Sequence, residues 1–99
     1  MDNIESIAIE VLNVYPVKRA ALFGSAARGD MTAGSDIDML VEFLPDTRGI
    51  LFFSLQTDLE EALNRSVDLI TFDALQHEAK EQFKKNVLQD VRVIYERES

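Results

Sequence analysis

The feature that most limits how this chain folds is a pair of aspartates, Asp36 and Asp38, in a run otherwise composed like a buried strand, SDIDMLVEF. Side chains two apart on a strand share a face. Ile37, Met39 and Val41 therefore fill one side, which must be covered, and both carboxylates project from the other. Two like charges held that close penalise each other's ionisation. An edge strand with a wetted face tolerates such a pair. So does a site in which a divalent cation takes both carboxylates, as Mg²⁺ commonly does alongside substrate phosphates. A second strand-like run, SVDLITF, carries Asp68 on the side opposite Val67 and Leu69. If the two strands are neighbours, three carboxylates reach one spot, and neither strand holds a lysine or arginine to pair with them.

Upstream, the apolar run AALF is broken by Gly24-Ser25. Glycine at the end of a strand permits a tight turn and lets backbone amides approach a ligand closely. Ser25 is placed to cap a short helix, Ala26-Ala27-Arg28, whose exposed amides would form an anion-binding turn; a plain turn accounts for the same residues. The spacing and the missing lysine exclude a Walker-type phosphate loop. Arg28 suits a triphosphate or a surface bridge to Asp30, and Ser35 either fixes the start of the aspartate strand or contacts phosphate. Gly29 and Gly34 shape the loop between. His77, the one histidine, reads as a solvated helix residue, and Lys80, Lys84 and Lys85 read as helix-face lysines offset by Glu78 and Glu81.

Periodicity places the remaining elements. Ile4, Ile7, Ala8, Val11, Leu12 and Tyr15 recur at helical spacing after a capping box of Asp2 and Glu5, and Pro16 ends that helix. Strands are expected over 18–23, 37–43 and 66–72, with a loop at 45–49. A helix over 50–64 buries Phe52, Leu55, Leu59 and Leu63. Asp73 is expected to cap a helix over 74–86 whose inner face carries Leu75, Ala79 and Phe83; 91–96 suits either a last strand or a continued helix. The order α-β-β-α-β-α-(β) gives a small α/β (α+β) fold, helices packed against a mixed sheet.

A chain of 99 residues supports one modest core, so a single domain over 1–99 is expected. No apolar run is long enough for a membrane span, the acidic N-terminal residues do not resemble a secretory signal, and there is no cysteine. A cytoplasmic protein is the expectation. The formal charge of −8 disfavours direct nucleic-acid binding, and no basic patch with interleaved aromatics offsets it. It suits a basic protein partner, or anions handled through a bound cation.

The stretch GSAARGDMTAGSDIDMLVEF is similar to the signature of the polymerase-β-like nucleotidyltransferases, a Gly-Ser turn followed by Ser-Asp-x-Asp. The whole chain resembles the minimal MNT-type members, antitoxin partners of HEPN-domain toxins. The resemblance implies that Gly24, Ser25, Arg28 and Ser35 bind the nucleotide. It implies that Asp36, Asp38 and Asp68 hold two Mg²⁺ ions, with Asp68 helping to deprotonate the acceptor. The implied reaction moves AMP from ATP to a tyrosine hydroxyl of the toxin; some relatives neutralise their partners by binding alone. A chain this small leaves the acceptor surface to a protein partner, in a homo- or hetero-oligomer whose composition the sequence leaves open.

Overall fold

The computed structural model describes residues 3–32, 34–78 and 80–97. Helix α1 (Asn3–Asn13) is followed by strand β1 (Val17–Phe23), the short helix α2 (Gly24–Arg28) and strand β2 (Ile37–Phe43). Helix α3 (Ile50–Leu63), strand β3 (Val67–Thr71), helices α4 (Phe72–Gln76) and α5 (Glu81–Gln89) and strand β4 (Arg92–Glu96) complete the order. The strands form one mixed sheet, β3-β2-β1-β4. Strand β1 runs antiparallel to both β2 and β4, while β2 and β3 are parallel.

Alternation along the strands divides the hydrophobic residues between two faces. Ala20, Leu22, Ile37, Met39, Val41, Val67 and Leu69 point to one side, where Ala8 and Leu12 of α1 and Leu55 and Leu59 of α3 cover them. Ala21, Phe23 and Leu40 point to the other, against Leu75 of α4 and Val87 of α5. The second face also carries Asp38 and Asp68, because Asp38 is two residues from Leu40 on β2 and pairs in register with Asp68 on β3. Among the described residues no helix is long and apolar enough to cross a membrane.

Three expectations change. The helix expected over 74–86 is two helices, with Lys80 in extended backbone ahead of α5. On a straight helix Leu75 and Val87 would lie about 18 Å apart and about 120° around the axis, too far for both to reach the same sheet patch; breaking the helix brings both onto it. Phe83 is consequently 38% exposed instead of facing inward, and Ala79 lies outside the described residues. The cap of α4 is Thr71, whose hydroxyl accepts from the Ala74 amide at 3.0 Å, and Asp73 sits in the first turn. The tail adopts the strand alternative, β4. Glu5 of the expected capping box lies within α1, whereas Asp2 lies outside the described residues.

Candidate active site

Register brings two of the acidic residues together. Phe23, the last residue of β1, pairs with Asp38, and Asp38 pairs across the parallel ladder with Asp68. Partners in register project to the same face, so Asp38 and Asp68 stand one strand spacing apart, about 4.8 Å. Asp36 precedes β2 by one residue and is exposed, as is Asp68, while Asp38 is half-buried. Its carboxyl is pushed above the ordinary carboxylate range, first by burial, then by the charges of Asp68 and Asp36, against an opposing pull from Arg28. Asp68, Asp36 and Arg28 thus each act on Asp38 electrostatically. A divalent cation among the aspartates would offset the like-charge contributions.

Gly24 stands against this group. Its φ of +64° is left-handed, and a Cβ built there would lie 2.5 Å from Asp38 Oδ2. Glycine is therefore required twice, by the backbone and by the carboxylate it abuts. The turn continues through Ser25, half-buried, whose carbonyl accepts from the amides of Gly29 (2.9 Å) and Asp30 (3.2 Å). The expected serine cap is not formed: Phe23, in extended backbone, occupies the cap position and no side chain bonds to the helix start. The chain leaves the strand straight into the helical turn, so Ser25 is already inside it.

Arg28 Nε donates to Asp30 at 3.1 Å and its Nη1 donates to Asp90 at 3.2 Å. The bridge to Asp30 is one of the two alternatives left by the sequence; the contact to Asp90, at the end of α5, ties α2 to the helix covering this face. Ser35 is engaged within its loop, its hydroxyl accepting from the Thr32 amide at 2.9 Å and lying 3.0 Å from the Thr32 hydroxyl. That matches its reading as the residue that fixes the start of the aspartate strand. His77, just past the end of α4, is exposed as expected of a solvated residue, with its Nδ1 3.7 Å from the exposed Asp73 carboxylate.

Sequence reasoning passed over Arg65. Its Nη1 donates to the carbonyls of Thr32 and Ser35, each at 3.0 Å, and so pins the loop that delivers Asp36. The available signal was an arginine just ahead of SVDLI, since parallel pairing brings the start of β3 beside the start of β2. Strand β3 is itself anchored by α3: Gln56 Nε2 donates to the Val67 carbonyl, and Glu60 accepts from the Val67 amide.

Among the described residues no three His, Cys, Asp or Glu side chains are grouped at metal-ligand spacing. Asp38 and Asp68 share a face and an end of the sheet, and Asp36, one residue ahead of β2, lies near enough to act on Asp38 electrostatically. In kind the donors fit Mg²⁺, being hard carboxylate oxygens beside a glycine turn.

Residues 5–99 match the family described as Polymerase beta, Nucleotidyltransferase, and the chain belongs to that family. It is 33% identical over 95 residues to Protein adenylyltransferase MntA of Thermococcus cleftensis, a match covering 92% of each chain. Over 66 residues it is 46% identical to a Methanocaldococcus jannaschii protein provisionally named protein adenylyltransferase MJ1215, covering 67% of this chain and 77% of that one. Among solved structures, a chain of a toxin–antitoxin crystallised with AMP-PNP aligns at a TM-score of 0.69 and 26% identity, covering 95% of this chain and 74% of that one.

Proposed function

We propose that this chain is a protein adenylyltransferase that moves AMP from ATP onto a tyrosine hydroxyl of a HEPN-domain toxin, and so acts as its antitoxin. The observation that carries the reading is the Asp38–Asp68 pair in register, with Gly24 pressed against Asp38. Relatives named protein adenylyltransferases and the likeness to a toxin–antitoxin chain crystallised with AMP-PNP support it.

In this reading Asp36, Asp38 and Asp68 would hold Mg²⁺, which would supply positive charge beside the nucleotide phosphates. Bound there, Mg²⁺ would offset phosphate charge and ease loss of the acceptor hydroxyl's proton. The Gly24-Ser25 turn receives the triphosphate, with Arg28 supplying positive charge from the same turn. The tyrosine oxygen bonds to the α-phosphorus as the bridge to the β-phosphate breaks. Pyrophosphate leaves with the bridging oxygen, and the hydroxyl proton passes toward Asp68.

The test is a double variant, Asp36→Asn with Asp38→Asn, which keeps side-chain shape and removes the charges. Incubated with the toxin, α-labelled ATP and Mg²⁺, the wild-type chain labels the toxin and silences its ribonuclease activity at low ratios. The variant is expected to bind the toxin but to do neither. Protection by the variant equal to wild type at every ratio identifies occlusion as the mechanism and overturns the transferase reading.

A further inference from the structure

Three of the most exposed large hydrophobic side chains among the described residues are Val14 (79%), Ile50 (70%) and Phe53 (64%). They lie together, far from the aspartates. Ile50 and Phe53 line one shallow depression with Tyr15 and Asp58, and Val14 lines a second with Glu10, Asp58 and Glu61. Asp58 belongs to both, so the two form one continuous surface across the end of α1 and the outer side of α3. Among the described residues no lysine or arginine lines either depression.

This surface is braced. The Phe53 ring meets Phe52 edge-on, with centroids 5.3 Å apart, and Phe52 packs against the core. Tyr15 donates to Asp58 at 2.5 Å, joining the end of α1 to α3. Apolar groups held in place before binding lose little entropy when covered.

Its charge selects what covers it. An acidic rim repels phosphates, nucleic acid and anionic lipid. A second copy docking symmetrically would set Glu10, Asp58 and Glu61 against the same three carboxylates. Lysine or arginine flanking apolar side chains complements both features. We propose that this face is the docking site of the acceptor protein, engaged through an amphipathic basic surface. This rests on the reading of the chain as one that acts on a protein partner, and adds where that partner is held.

The position makes docking separable from chemistry. Val17 and Phe43 pair at this end of the sheet and Phe23 and Asp38 at the other. The intervening strand has seven residues, a span of roughly 20 Å at about 3.3 Å each. The patch also overlies the helix-covered face opposite the aspartates. A partner anchored here does not touch the aspartates through the same contact.

The test uses full-length chains carrying Phe53→Ser or Glu61→Lys, both surface changes, with folding checked by circular dichroism. Toxin affinity is measured by titration, and AMP transfer is measured against toxin concentration. Phe53→Ser is expected to weaken toxin binding about tenfold, the effect typical of a central aromatic anchor. The KM for toxin should rise in parallel, with kcat at saturation and the melting shift produced by ATP and Mg²⁺ unchanged. Glu61→Lys should weaken binding a few-fold and reduce its salt dependence. Unchanged toxin affinity in both variants overturns the proposal. So does a wild-type chain that binds no toxin, or a Phe53→Ser effect confined to the mass of the free chain in solution, which would make the occupant a second copy. If wild type binds the toxin but transfers no label, while Phe53→Ser loses binding, the docking face stands and the transferase reading falls.

Discussion

Replacing Gly24 by alanine puts two separate loads on the site, and Gly29 supplies the control that separates them. Both glycines have positive φ, +64° and +82°, but a Cβ at Gly29 meets nothing within 4 Å whereas one at Gly24 lies 2.5 Å from Asp38 Oδ2. Left-handed backbone costs a non-glycine residue about 1–2 kcal/mol. For a domain of this size each 1 kcal/mol lowers Tm by roughly 4–8 °C. Gly29→Ala should therefore melt roughly 4–16 °C below wild type, and Gly24→Ala at least as far below. Only Gly24→Ala must also move the Asp38 carboxylate, because real contacts essentially never fall under 3.0 Å. A displacement of about 1 Å at a reacting centre costs about a hundredfold in rate, so the half-ångström minimum here corresponds to a loss of about tenfold. Melting followed by circular dichroism, and transfer of α-labelled AMP to the toxin well below both midpoints, read the two loads independently. Gly29→Ala should keep its rate within about threefold. Equal rate losses in the two variants would refute the argument, as would a Gly24→Ala chain with the wild-type rate.

Two further outcomes follow from the same geometry. Because the folded pKa of Asp38 is raised, its stabilising contribution is present below the ordinary carboxylate range and lost as pH rises through the folded value; without divalent cation, Asp38→Asn should melt above wild type at pH 7, and this gain should vanish on titration to about pH 3. Arg65→Ala frees the Thr32 and Ser35 carbonyls and loosens the approach to Asp36, so transfer should slow with a raised KM for ATP while toxin affinity is unchanged. A normal KM for ATP in that variant would show the loop to be fixed by Ser35 and Thr32 alone.

Alternation made β2 and β3 legible, since residues two apart must share a face, and that rule put Asp36 and Asp38 on one side before any coordinates. Register was not legible in the same way. Nothing local to SVDLI states that Asp68 pairs with Asp38; that depends on α3 crossing so that β3 lies parallel to β2. The long-range polar contacts were hidden for the same reason, Arg65 reaching back 30 residues to Ser35 and Arg28 reaching 62 residues on to Asp90. The break between α4 and α5 was missed because Leu75, Ala79 and Phe83 recur at helical spacing and so suit a continuous helix locally. The sheet patch that demands both side chains exists only in the folded chain. Ser25 shows the converse error, a good capping residue that lies two positions past the cap, which Phe23 occupies.

The order of the strands bears on when the site comes into being during synthesis. The ribosome delivers β1 and β2 first, and their antiparallel pairing is local in the chain, so Asp36 and Asp38 are presented early as two unrelieved charges. Asp68 arrives only after α3 has been made and has carried the chain across. A nascent chain therefore lacks the third carboxylate until its longest local excursion closes, and a fragment truncated before β3 keeps the glycine turn and the aspartate pair without the complete set. Completion of the parallel ladder is the event that brings Asp68 beside Asp38 and assembles the candidate site.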